Sequence, residues 1–383
     1  MYQTSKKIYQ VLLAFVFVLA SGWVELSVSA IGVSAQSAVV IEAESGRVLY
    51  GKNENAKRSM ASTTKIMTGL LALEYGSPDT VIVATDEMVR VEGTSLGLHA
   101  GDSISMRDLT AGLMLESGND CANAIALTLS PTFSDFAVLM NRRAKELGLS
   151  DTNFVTPSGL DDKNHYTTAY DLARLGAAAL KNEAFAQIVS SKKITVSFGN
   201  PPIKQTIYNH NRMLTKYPGA TGIKTGFTKK SGRCLVSSAQ KDGVTLVAVT
   251  LHAPDDWDDH TVMLDYGFSQ VSSVFMQKPV EDFYVPVVGG KQSEVKLVVP
   301  DQIKAPVLNR EQESITYRVD IPKFIYAPVD RGETVGSIHY YIGDKRMASA
   351  GLTTQDFVER AVKQSLYDRI EEFFYKLFGG TSS

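Results

Sequence analysis

Strand-like runs stand at both ends of the first 275 residues of this chain, and helix-like runs fill the space between them. Residues 37–43 and 47–50, on either side of Ser45-Gly46, read as a hairpin. Residues 193–198, 220–228, 233–239 and 244–251 read as strands again, the last two joined across Lys241-Asp242-Gly243. Between them, residues 60–74, 106–116, 133–147 and 168–181 carry helical spacing and helix punctuation. Gly76 and Gly148 follow the first and third, while Ser105 with Asp108 and Thr168 with Asp171 set a hydroxyl and an acid at the capping distance. A helix over 258–268 closes the block. Strands separated in this way share one sheet only if the first hairpin returns beside the later strands, with the helices packed on it. The fold class expected is α+β, an antiparallel sheet carrying helices.

Beyond Pro279 the texture changes. Residues 283–288, 295–299, 314–320 and 334–341 are short Val-rich runs punctuated by Gly289-Gly290, Pro300-Asp301 and Asp330-Arg331-Gly332, the spacing of a small β-rich module. It contains no paired nucleophile and base, so the role expected of it is that of a spacer or stabilising domain. Phe357, Val358, Ala361, Val362, Leu366, Ile370 and Phe374 then fall near a helical period with charges between them. Such a tail either lies in a membrane interface or packs on protein; its charges nearly cancel, but the bulky aromatics near the free end favour the membrane.

At the other terminus Lys6 and Lys7 precede an apolar run over 11–20, and Val28-Ser29-Ala30 and Val33-Ser34-Ala35 offer small-residue cleavage sites. That is the layout of a secretory signal. The run is short for a transmembrane helix, and Glu25 interrupts its continuation. The expected organisation is a signal peptide over 1–30, a catalytic domain over 31–278, a β-rich domain over 279–353 and an amphipathic tail helix over 354–383. The exported chain is expected to work at the extracytoplasmic face of the cell membrane or in the cell wall.

A formal net charge of −2 without long basic runs offers no attraction to a polyanion, so no nucleic-acid partner is expected. Cys121 and Cys234 are the only cysteines. They cannot form a disulfide framework and read as buried thiols. No Cys and His spacing suggests a metal, and no cofactor is expected.

Three short motifs carry the chemistry: Ser62-Thr63-Thr64-Lys65, Ser117-Gly118-Asn119 and Lys224-Thr225-Gly226. A lysine three residues after a serine on a helix stands one turn along the same face, where a lowered pKa lets it take the serine proton. The spacing alone does not select Ser62, because Ser190 with Lys193, Ser238 with Lys241 and Ser293 with Lys296 repeat it. Context does: only the Ser62 copy opens an apolar helix, which sets the serine at the positive end of the helix dipole. Ser117-Gly118-Asn119 falls between two helices. There Ser117 can relay a proton and Asn119 can hold a substrate amide by donor and acceptor together, unless the segment is an ordinary turn with Asp120 capping the next helix. Lys224-Thr225-Gly226 lies in a strand whose edge can receive an extended peptide, and the backbone N–H groups of Ser62 and Phe227 can form an oxyanion hole.

Jointly these motifs resemble the serine penicillin-recognising enzymes. Within that superfamily Leu115-Glu116-Ser117-Gly118-Asn119-Asp120, Gly222-Ile223-Lys224-Thr225-Gly226 and the stretch from Gly159-Leu160-Asp161-Asp162 to Tyr166-Thr167-Thr168-Ala169 look like the low-molecular-mass D-alanyl-D-alanine carboxypeptidases. The resemblance extends over nearly the whole mature chain, including the β-rich module and the tail. It implies a penicillin-recognising, transpeptidase-like fold and a hydrolase whose partners are peptidoglycan stem peptides, with β-lactams as inhibitors. It further implies that Ser62 attacks the terminal D-Ala-D-Ala bond with Lys65 as base, that Ser117 and Lys224 complete the proton relay, that Asn119 positions the acyl donor, and that Thr225 with Lys224 binds the terminal carboxylate.

One departure stands out: Asn209-His210-Asn211 has histidine where relatives often carry arginine, so carboxylate recognition falls to another cation, with Arg212 and Arg233 as candidates. A β-lactamase would need a Glu-x-x-Leu-Asn loop between the second and third motifs, and the sequence has none there. A noncatalytic sensor keeping the pocket is the rival of another class, opposed by the intact Ser62 and Lys65.

Overall fold

The computed structural model describes residues 31–361 together with Ile370, Phe373 and Phe374. The signal peptide expected over 1–30 lies outside the described residues, as does nearly all of the tail helix; Ile370, Phe373 and Phe374 are helical and exposed.

The strands in chain order are β1 (Ser37–Glu42), β2 (Val48–Lys52), β3 (Val81–Val83), β4 (Ser103–Ser105), β5 (Lys193–Gly199), β6 (Pro202–Tyr208), β7 (Ala220–Thr228), β8 (Gly232–Lys241) and β9 (Val244–Leu251). Their main sheet has the order β2-β1-β9-β8-β7, antiparallel throughout. The first hairpin does return to the later strands. Helices cover both faces of this sheet: the Ala169–Leu180 helix sets Gly176 against Val236 and Val247, and the Asp256–Gln270 helix sets Gly267 against Val40 and Leu246. β1 and β9 are therefore buried on both faces over nearly their whole length, instead of alternating between buried and exposed positions.

The helical block surrounds the Lys65–Tyr75 helix, which is buried over most of its length. Met106–Leu115, Asn119–Leu129, Phe133–Glu146 and Glu183–Ser190 complete it. Ser105 and Thr168 cap as expected, accepting from the backbone N–H of Asp108 at 3.1 Å and of Asp171 at 3.0 Å. A small sheet, β3-β4-β5-β6, flanks the block.

Sequence spacing misplaces the start of the second module. A strand β10 (Val271–Phe275) follows the Asp256–Gln270 helix and pairs with β13 (Lys304–Leu308), so strand structure resumes before residue 279, because Met276 packs into the second core. The remaining strands, β11 (Phe283–Val288), β12 (Glu294–Val298), β14 (Ile315–Asp320), β15 (Ile325–Tyr326), β16 (Thr334–Ile342) and β17 (Lys345–Thr354), form one sheet in the order β14-β16-β17-β12-β11-β15. The helix expected to begin at residue 354 does not begin there. Val358 bridges Val329 and Arg360 bridges Gly290, and Val358 is fully buried, so this stretch serves the β core. Arg47 next to β2 meets Glu311 at 2.5 Å, tying the two modules together.

Candidate active site

Residues Ala61–Thr64 form a 3-10 turn that runs into the Lys65–Tyr75 helix, so Ser62 and Lys65 stand one turn apart as the motif requires. Lys65 Nζ lies 3.0 Å from Ser62 Oγ, 2.7 Å from Asn119 Oδ1 and 2.9 Å from the Ser158 carbonyl. The side chain has no solvent exposure. Burial, and then the nearby charge of Lys224, hold its pKa well below that of an ordinary lysine. A neutral Lys65 donates to Asn119 and Ser158 and has one lone pair left. That lone pair faces the Ser62 hydroxyl.

Ser117 closes the Met106–Leu115 helix in a left-handed conformation, φ 61°, and its carbonyl accepts from Thr94 Oγ1 at 2.6 Å. Gly118 caps the Asn119–Leu129 helix, so Asn119 opens that helix and Asp120 lies inside the first turn instead of at the cap. Asp120 does something the sequence did not disclose: its carboxylate gathers the backbone N–H groups of Leu96, Gly97 and Leu98 and the hydroxyl of Ser95, holding the loop opposite Ser117. Asn119 donates to the Glu92 carbonyl as well as accepting from Lys65, which leaves one N–H and one lone pair for a ligand.

Lys224, Thr225 and Gly226 lie on β7, the edge strand of the main sheet, with no further strand beyond it among the described residues. Lys224 is buried, and burial lowers its pKa to about 7 against the opposing pull of Glu116. Gly226 passes so close to the Ala61–Thr64 turn that a Cβ there would lie 3.0 Å from the backbone nitrogens of both Ser62 and Thr63. Any side chain at this position presses on Ser62.

Ser62, Ser117, Asn119, Thr225, Gly226 and Phe227 line one cleft of 700 Å³. Lys65 and Lys224 lie buried, off the wetted wall. His210, Arg212 and Arg233 line the same cleft. His210 pairs with Glu116 at 3.4 Å. Arg233 donates to Asp256 at 3.0 and 2.8 Å and lies 5.6 Å from the Trp257 ring, while Arg212 is exposed. The three repeats of the Ser-x-x-Lys spacing have other partners: Ser190 bonds the Ala186 carbonyl, Ser238 bonds Thr221, and Lys296 bonds Asp282. Both cysteines are buried and free. Sequence reasoning missed Ser158, Asp256 and Trp257; Gly159-Leu160-Asp161-Asp162, noted as familial, was the one signal pointing to that wall.

The D-alanyl-D-alanine carboxypeptidase family profile matches residues 25–255, and the profile of the penicillin-binding protein 5 C-terminal domain matches residues 272–360. The chain is 30% identical to the D-alanyl-D-alanine carboxypeptidase DacF of Bacillus subtilis over 85% of its own length and 86% of that protein's. It is also 30% identical to DacC of Escherichia coli, over 95% and 94% of the two chains. Among solved structures, penicillin-binding protein 5 of Haemophilus influenzae superposes with a TM-score of 0.64 at 28% identity, covering 87% of this chain and 100% of that one.

Proposed function

The chain belongs to the D-alanyl-D-alanine carboxypeptidase family, and from that membership we propose that Ser62 cleaves the terminal D-alanyl-D-alanine bond of a peptidoglycan stem pentapeptide through an acyl-enzyme. The protein is a serine-type D-alanyl-D-alanine carboxypeptidase and a penicillin-binding protein. The observation that carries the assignment to Ser62 is Lys65: fully buried, two of its hydrogen bonds committed elsewhere, and its third direction filled by the Ser62 hydroxyl at 3.0 Å.

Neutral Lys65 takes the proton from Ser62 Oγ as Oγ bonds to the carbonyl carbon of the penultimate D-alanine. The carbonyl oxygen gains the electron pair and turns toward the backbone N–H groups of Ser62 and Phe227. Lys65 passes that proton through Ser117, beside Lys224, to the amine nitrogen, the C–N bond breaks and D-alanine leaves, so Lys65 is neutral again. Water then attacks the ester, Lys65 takes its proton and returns it to Ser62 Oγ as the acyl bond breaks, which frees Ser62. Asn119 holds Lys65 and offers its remaining donor and acceptor to the acyl chain. Thr225 and Lys224 receive the terminal carboxylate, supported by Arg233, which Asp256 and Trp257 hold at the same wall. A penicillin presents the same carboxylate and acyl carbon and acylates Ser62.

We propose further that the chain is exported by the signal over 1–30, that a catalytic domain precedes a β-rich domain whose strands begin at Val271 and whose core takes in Val358, and that the amphipathic tail after it contacts the membrane from outside the cytoplasm. The charged and apolar layout of the leader and the aromatic residues of the tail support this. Among the described residues no helix is long and apolar enough to cross a membrane.

Incubation with a defined pentapeptide and with its crosslinked dimer, products identified by mass, should show loss of one D-alanine and, with penicillin, an adduct on Ser62. Ser62→Ala should lose both while melting as the parent does. Activity that survives this change moves the nucleophile elsewhere.

A further inference from the structure

His165 is the one buried histidine that touches the nucleophile turn, and the mechanism above does not use it. It is 3% exposed and lies 5.9 Å, edge to face, from the Phe154 ring. Its Nδ1 accepts from the backbone N–H of Val155 at 2.9 Å, with that of Thr156 at 3.3 Å. Backbone N–H groups only donate, so Nδ1 bears no proton and the ring proton is on Nε2. Nε2 then donates to Thr64 Oγ1 at 2.7 Å, and Thr64 Oγ1 donates to the Ala61 carbonyl at 2.8 Å. Each proton in this chain has one place to go.

Both ends of the chain are next to the reacting groups. Ala61, whose carbonyl receives the last proton, immediately precedes Ser62 and sits at φ 48°, a left-handed conformation unusual for alanine. The segment that supplies the first N–H continues into Pro157 and Ser158, whose carbonyls accept from Thr68 Oγ1 at 2.6 Å and from Lys65 Nζ at 2.9 Å. Gly159 follows with φ 87° and packs against the Ala61 carbonyl so closely that a Cβ would collide with it. Burial lowers the His165 pKa to about 4, against the pull of Asp162 and Asp161 and together with Lys230, so the ring stays neutral where the enzyme works. It is a strut, not a proton carrier.

We infer that His165, acting through Thr64, is a positioning residue for acylation: it fixes the strained turn that carries Ser62 and the Ser158 carbonyl that orients Lys65. The inference rests on Ser62 being the nucleophile, since only then does the placement of this turn govern a rate.

The test is stopped-flow acylation of the full mature chain by a fluorescent penicillin, resolved into the dissociation constant of the first complex and the acylation rate within it. Thr64→Val keeps shape and loses the hydroxyl. His165→Ala loses both ends, and His165→Gln keeps a donor toward Thr64. Thr64→Val and His165→Ala should each slow acylation about 10- to 100-fold with little change in the dissociation constant, the scale of a misplacement near 1 Å. The double variant should be within about threefold of the slower single, because the two act as one unit. His165→Gln should recover most of the rate with the pH profile unchanged. Wild-type acylation by Thr64→Val, or additive losses in the double variant, overturns the strut while Ser62→Ala still abolishes labelling. Labelling that survives Ser62→Ala overturns the nucleophile and the strut together.

Discussion

At the scale of single residues, a Lys65 that takes the Ser62 proton, as proposed, has to be neutral at the pH where an ordinary lysine is charged. Burial is the larger cause of its lowered pKa and the charge of Lys224 the second, so the two causes are separable by mutation. Lys224→Gln removes the second and leaves the first. The acid limb of the acylation pH profile reports Lys65 losing its proton, and a neighbouring positive charge depresses that pKa; removing it should therefore move the limb to higher pH, alongside whatever loss of rate follows from a broken relay. An unmoved limb in penicillin-labelling rates would mean that Lys224 is already neutral when Lys65 titrates. The Ser62–Lys65 pair was legible in the sequence because helical geometry turns a spacing of three into contact. Its third partner was not: Ser158 contributes a carbonyl, which every residue has, and His165 reads as one more polar residue after Asp161-Asp162-Lys163-Asn164. Only tertiary packing sets them beside the turn.

At the scale of elements, the edge position of β7 is what opens the cleft, and its glycine is what lets the strand and the nucleophile turn meet. With a hypothetical Cβ at 3.0 Å from the nitrogens of Ser62 and Thr63, Gly226→Ala should push on the backbone of the proposed oxyanion hole and slow acylation about 10- to 100-fold while the melting temperature changes little. An unchanged rate of penicillin labelling would show that the turn yields. The long capped helices and the strands of the main sheet were legible because caps, glycine stops and apolar runs agree with one another. Elements without such agreement were not. β3 and β4 have three residues each, and β17 reads Lys-Arg-Met-Ala-Ser-Ala-Gly-Leu-Thr-Thr, small and polar residues with weak strand preference. What makes β17 a strand is its pairing with β16 on one side and β12 on the other.

At the scale of the whole molecule, the segment 355–361 is part of the β module and separate from the tail proposed to reach the membrane. Helical periodicity groups Val358 with Phe374, but Val358 is fully buried against the second core and bridges Val329, while Lys291 on the other side bonds the Glu359 carbonyl. The proposed membrane contact therefore belongs to residues after 361, and two truncations separate it from folding. Removing 362–383 should shift the mature protein from the membrane to the soluble fraction, leaving penicillin labelling and the thermal transition as they were. Removing 354–383 should release it equally but also strip Val358 and the bridges from the β module, lowering its stability by about 1.5–3 kcal/mol, the scale of burying one valine side chain. Scanning calorimetry would resolve the loss in the second module from the melting of the catalytic domain. If both truncations melt alike, the 355–361 segment is not part of the β core; if neither leaves the membrane fraction, the anchor lies elsewhere in the chain.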